Sequence, residues 1–360
     1  KMWYSPLNTG AGYAMGVRAG AEMTTFEMRF IALRIKGTIA PTGTIAQGVH
    51  MPHINRYGEE YLSKYGEATT INRLKATITE ERIGNGPCSL DTRRLTGDKE
   101  SELMKAYLNM APVQTLAWID KNQMPSKEAV IICGTEPYIV GGHGAAGYWV
   151  DNSRQTTLKG LYAIGDVAGG SPKKYVTGCF AEAAIASKKI LESIDKEVLI
   201  KLPRDIIKKI LENSRDRFIE SRTSKTLHAI ESLELEMQEI MDRYAGGIST
   251  FYEYTIHSLN KAEVGIKKLI IQCENLKASN GREFVLIHEL KDRLWVAQTV
   301  ITHLGVRKET RWNCYQENID YPLKDDENYF KYINSSYRDG KFNVIYRKII
   351  KKDEVYEHSY

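Results

Sequence analysis

The chain has 360 residues, 42% hydrophobic and 26% charged, with a net charge of +5. That length exceeds one ordinary compact core, so two or three folding units are expected, and the charge is too small and dispersed to indicate a nucleic-acid surface. No apolar run approaches the roughly 18 residues of a membrane span, and the five cysteines, at 88, 133, 179, 273 and 314, form no CxxC and are odd in number. These counts argue against a disulfide framework or an iron–sulfur site on this chain, and for a reducing, cytoplasmic setting. The opening KMWYSPLNTG has no signal-peptide pattern and no leading Met, so the start is read as lying inside a longer gene product.

In chain order, residues 7–23 carry glycines and alanines at close spacing (NTGAGYAMGVRAGAEM), which predicts a helix that another backbone can approach closely. FEMRFIALRIKG reads as a strand over 26–35. From 38 to 125 the pattern is broken: loops, a short hairpin turning near Arg56 to Gly58, and helices over 71–83 and 99–122. EAVIICG, EPYIVGG and LKGLYAIGD are strand-like, and a helix starts beside Gly178. Pro203 opens a basic amphipathic helix with Ile206, Ile207, Ile210 and Leu211 on one face. Further helices are expected at 226–244, 251–278 and 283–303, followed by an irregular tail with a hairpin at Asp339-Gly340.

The most specific stretch is GLYAIGDVAGG at 160–170 with YVTGCFAEAAIAS at 175–187. A strand ending at Gly165-Asp166 sets a carboxylate where it can accept from ribose or ribityl hydroxyls. A helix opening at Thr177, Gly178, Cys179 and Phe180 offers free N–H groups to an electron-rich ring. The bland alternative is a plain turn with Asp166 as a helix cap. The whole string resembles the second FAD-binding segment of the fumarate reductase/succinate dehydrogenase flavoproteins. Together with FEMRFIALRIKG, GTEPYIVGGHGAAGYWV and RKETRWNCYQENIDYP it resembles the flavin subunits of the adenylylsulfate reductases, from residue 1 to about 350.

That resemblance implies a fold of α/β plus α type. A remnant of a Rossmann-like FAD domain (1–37 and 126–198) would enclose an inserted capping domain (38–125). A helical bundle (199–304) and a tail (305–360) would follow. It implies FAD as cofactor, with Glu136 among its contacts, and adenosine 5′-phosphosulfate as substrate. Sulfur would face flavin N5, and a flavin–sulfite adduct would yield sulfite and AMP. Arg34 matches the family's substrate-binding arginine and His143 its site histidine. Arg73 or Lys75 would supply a further cation from the capping helix, and Lys174 another; for each the alternative is a salt bridge, a satisfied histidine or a solvated lysine. Where succinate and fumarate enzymes carry histidines this chain has Ala40 and Pro137, which disfavours dicarboxylates.

The dinucleotide fingerprint GxGxxG does not follow a strand anywhere in the chain, so the other half of the FAD domain is expected to lie outside it. Electrons would come from an iron–sulfur partner subunit. The competing readings are a fumarate-reductase-like flavoprotein with another acceptor and a fragment that holds no cofactor. His50-x-x-His53 is read as a loop pair rather than a metal site, Cys179 as flavin packing, and Arg311-Trp312 as structural anchoring.

Overall fold

The computed structural model describes residues 8–43, 48–136, 144–170, 175–194, 202–218 and 226–360. Short antiparallel strands and long helices build two cores. The first packs the helix Ala11–Arg18 and the strands Met23–Thr24 and Gly147–Tyr148 against the helices Thr226–Tyr244, Ile256–Glu274 and Gly281–Val306. The second surrounds the strands Leu33–Ile35, His53–Ile54, Ser89–Leu90 and Val130–Gly134 with the helices Thr70–Arg82, Gly97–Met110 and Pro112–Asp120. Tyr252, Cys314 and Tyr315, far downstream in sequence, are buried in that second core.

Local chemistry explains most of the elements. Thr255 and Ser258 form a reciprocal capping box on Ile256–Glu274, and Asn280 caps Gly281–Val306. Pro112 at a helix start divides the single helix expected at 99–122 into two, with Ala111 out of helical geometry between them. The expected hairpin joins Lys331–Arg338 to Lys341–Lys348 through Asp339 (φ 53°) and Gly340 (φ 76°), the left-handed pair that matches strand twist. It also pairs with Met23–Thr24, so the tail widens the Gly147–Tyr148 sheet to four strands. The helix Arg204–Arg215 forms as its amphipathic pattern predicts, with its four apolar side chains exposed.

The strand expected over 26–35 is the main departure. Only Leu33–Ile35 is strand, because Thr25 turns at φ 61° and the side chains that follow are drawn into a buried charge network instead of a ladder. Glu27 accepts from Arg307 Nε at 2.9 Å and lies 3.1 Å from His303 Nδ1, whose other ring nitrogen is 2.8 Å from Ser335 Oγ. Arg307 also donates to Glu309 and to the carbonyls of Tyr329 and Lys331, and Arg311 grips Glu309 with two bonds of 2.7 and 2.9 Å. Burial opposes the Glu27 carboxylate, yet Arg307 and His303 hold its pKa below the usual range. Arg29 donates to the carbonyls of Ala245, Gly246 and Tyr315, and burial pushes its guanidinium down to about 10.

Because Arg307 pairs with two buried carboxylates, removing it leaves Glu27 without a guanidinium and Glu309 with Arg311 alone. Arg307→Met is expected to lower unfolding free energy by about 3–5 kcal/mol in urea titration. Glu27→Gln, which keeps the shape, is expected to cost less. Equal, small effects from both would show that the network carries little stability.

Candidate functional site

The stretch singled out in the sequence builds a cradle of closely spaced backbones. Gly147 pairs with Thr24, while Gly169 donates to the Tyr148 carbonyl at 2.7 Å and Gly170 to that of Ala145 at 2.8 Å. A Cβ on Gly147 would collide with the backbone at Val167–Gly169, and one on Gly16 with the Tyr148 ring, so glycine is required at both contacts. Tyr148 and Tyr13 tie the Ala11–Arg18 helix to the cradle through the carbonyls of Gly12 and Asp166, each at 2.5 Å.

Gly165 and Asp166 form a single helical turn, not the end of a regular strand; LKGLYAIGD contributes only an isolated bridge between Gln155 and Tyr162. The Gly165 amide donates to Glu182 Oε2 at 2.7 Å, which locks the turn to the helix Val176–Ser193. Cys179 Sγ stands 3.1 Å from where a Cβ on Gly165 would lie, so the thiol packs against the turn. The helix opens at Tyr175 with no side-chain cap, and Tyr175, Val176 and Phe180 are exposed, Phe180 at 72%. A helix start without a side-chain cap, beside exposed apolar side chains, suits a flat, partly anionic ring system, so these residues fit a bound flavin. Glu182, Tyr13 and Tyr148 were not anticipated. An acid within an otherwise apolar helix start was the available signal for Glu182.

A second cluster lies where Leu33–Ile35 meets Val130–Gly134. Arg34, 4% exposed, donates to Glu136 at 2.5 Å and to the Thr38 carbonyl at 2.9 Å, while its Nε has no partner. Glu136 is thus placed as the counter-ion of Arg34. Arg34 bridges to Pro41, and two residues on, the Cβ position of Gly43 is 3.6 Å from the Arg73 guanidinium. Arg73, on the Thr70–Arg82 helix, is half-buried and turned toward this loop, whereas Lys75 is exposed. Beneath them Tyr252 donates to the Thr135 carbonyl at 3.0 Å. His143, Lys174 and Pro137 lie outside the described residues; Ala40 is fully buried.

His53 sits in a two-residue strand opposite Leu90, 2% exposed, and neither ring nitrogen has a partner. Its ring meets Tyr61 edge-on at 6.3 Å, and Tyr61 in turn shares a 2.7 Å hydrogen bond with Thr77, one helical turn from Arg73. Burial, and then the Arg73 charge, push its pKa down to about 4. His50 is exposed, and no group of three metal-ligating side chains exists among the described residues.

Residues 1–179 match the family model for the FAD binding domain. The alpha subunit of adenylylsulfate reductase from Megalodesulfovibrio gigas is 25% identical over 98% of this chain and 61% of its own length. The solved adenylylsulfate reductase of Archaeoglobus fulgidus superposes with a TM-score of 0.85 at 30% identity, covering 100% of this chain and 64% of that one. An adenosine-5-phosphosulfate reductase structure, described as a covalent sulfite adduct, superposes at 0.83 with 29% identity over the same shares. The chain therefore spans about three fifths of the length of the relatives it matches. No helix among the described residues is long and apolar enough to cross a membrane.

His53 generates a pH signature. Its folded pKa lies below that of the unfolded imidazole, near 6.5, so the unfolded chain binds the extra proton first. The stability that neutral His53 contributes is therefore present above about pH 6.5 and lost as pH falls toward 4. Between pH 7 and 5 the loss is about 2 kcal/mol. Urea midpoints of His53→Phe are expected to fall less over that interval than those of the parent protein. Parallel slopes would refute the buried neutral state.

Proposed function

From the membership of this chain in the FAD-dependent oxidoreductases homologous to adenylylsulfate reductase alpha subunits, we propose that it acts on adenosine 5′-phosphosulfate or a close sulfo-nucleotide. The reaction is two-electron cleavage to sulfite and AMP, or its reverse. The observation that carries this reading is the Pro41–Gly43 loop, which bridges through its backbone to buried Arg34 and lies against the half-buried Arg73 guanidinium, in a chain that also holds a flavin-shaped cradle.

Bound FAD supplies the two-electron redox chemistry. The Gly165–Val167 turn and the Val176–Ser193 helix would hold it, with Thr177, Gly178 and Cys179 presenting backbone and Phe180 an apolar face. Arg73 carries the cationic charge that an anionic substrate needs. Arg34, already balanced by Glu136, contributes direction more than net charge, through the N–H that has no partner. Ala40 leaves the place of a dicarboxylate-binding histidine without a donor, which favours a sulfo-nucleotide over fumarate. His143 and Lys174 complete the proposed cation set. Electrons would arrive from an iron–sulfur partner subunit, in keeping with the relative's being one subunit of an assembly.

The test is the visible spectrum of the purified flavoprotein during sulfite titration. Bleaching of the oxidised flavin bands by sulfite is expected. Bands that ignore sulfite would point to another acceptor, and a colourless protein that takes up no added FAD would overturn the cofactor assignment. Arg73→Ala is expected to weaken substrate binding about 10–100-fold, the range for losing one charge-assisted contact.

A further inference from the structure

The helix Arg204–Arg215 buries none of its residues. Every residue from 202 to 213 is exposed, and the apolar side chains Ile206, Ile207, Ile210 and Leu211 are between 43% and 58% exposed. The molecule holds this arm just past its C-terminal end. There Phe218 stacks on Phe284 at 5.0 Å, and the Ala278 amide donates to the Arg217 carbonyl at 2.7 Å. An isolated helix shorter than about 12–15 residues is marginal in water, and an amphipathic helix gains its stability when its apolar face is covered.

The charges around that face are ordered. At about 100° per residue, the four apolar positions span an arc of about 140°. Ser214, the polar position inside the arc, turns its hydroxyl back onto the Ile210 carbonyl at 2.9 Å. Arg204 and Arg215 fall beside one edge of the arc with Lys208 next to them, and Lys209 lies toward the other edge. Asp205 and Glu212 fall on the opposite pole, where Glu212 takes Lys208 as its partner at 3.8 Å. Cations therefore border the apolar face, and the acids sit away from it. A protein partner sealing this face would need acidic groups placed to match both borders. A plane of anionic headgroups over an acyl interior supplies both matches by itself, with the isoleucines and the leucine entering the acyl boundary while the long basic side chains reach the phosphates.

We propose that the Arg204–Arg215 helix is a peripheral membrane contact that lies flat on an anionic lipid surface. None of its residues belongs to the flavin cradle or to the arginine cluster, so this inference stands apart from the sulfo-nucleotide reading. Four apolar side chains on a single short helix give a reversible attachment, set by the lipid charge as much as by the apolar area. Each basic residue near a negative surface strengthens attachment about fivefold, and salt weakens it.

The experiment floats the purified protein on a density gradient with vesicles of mixed phosphatidylglycerol and phosphatidylcholine, and with vesicles of phosphatidylcholine alone. Binding to the anionic vesicles is expected to be about tenfold or more the stronger at about 50 mM salt, and to be lost at about 500 mM. The double variants Ile207→Glu with Ile210→Glu, and Arg204→Glu with Lys209→Glu, are each expected to bind about tenfold or more weakly than the parent. Both are expected to keep the parent's unfolding temperature, since every altered side chain is exposed. No binding to anionic vesicles, or equal binding to neutral ones, would overturn the proposal, as would binding that survives the isoleucine substitutions. A lower unfolding temperature in either variant would show that the rest of the chain covers the face. A parent dimer that the isoleucine variant breaks apart would show that a second copy covers it, and either result would overturn lipid docking.

Discussion

The structure depends on burying carboxylates and guanidinium groups in contact with one another. Glu27, Arg307 and Glu309 are buried together, with His303 alongside and Arg311 at the rim. Taking one such ion from water costs several kcal/mol, and only near-complete pairing offsets it. That condition is met in one arrangement of three remote segments: the chain after Thr25, the end of the Gly281–Val306 helix, and the loop before the tail hairpin. Arg29 extends the arrangement to the Gly246 turn and to Tyr315. Geometry at residues 27 and 29 is thereby set from the far end of the chain, and Arg34 leaves that stretch already aimed at the sheet containing Val130–Gly134.

This explains which parts of the fold were legible in the sequence. Signals that act within one element were readable: the amphipathic period of Arg204–Arg215, the Asp339-Gly340 turn, and the helix beginning beside Gly178. The alternation of FEMRFIALRIKG suggested a longer strand than exists, because two of its charged residues are buried by partners some 280 positions away, a separation periodicity cannot see. The second core takes Tyr252 from a connection within the helical bundle and Cys314 and Tyr315 from beyond it, and no local pattern announces that.

The candidate site divides in the same way. The Gly165-Asp166 turn and the open helix start were legible because close backbone approach demands small residues in sequence, and Gly147 and Gly165 both prove to be tight contacts. Helical spacing could not choose between Arg73 and Lys75, two residues apart, whereas the packing of the Thr70–Arg82 helix turns the first toward Gly43 and leaves the second in solvent. Glu182 and Tyr148 act through contacts to residues that the sequence does not mark as their partners.

The two polar clusters of the molecule also differ in a way that bears on function. Around Glu27 the Arg307 guanidinium is spent on Glu27, Glu309 and two carbonyls, and Arg29 Nη2 at the edge is left without a partner among the described residues. In the second core, Arg34 Nε, the His53 ring and the Tyr315 hydroxyl have no hydrogen-bond partner among the described residues. Unpaired atoms elsewhere, such as Arg293 Nε or Trp295 Nε1, each lie on a side chain away from this cluster. A fold able to complete the first network gains stability by completing the second as well, unless a ligand's own oxygens are what complete it. The unfilled Nε of Arg34, next to its ion pair with Glu136 and on the residue that bridges to the loop touching Arg73, is the group in that core that an oxyanion could complete.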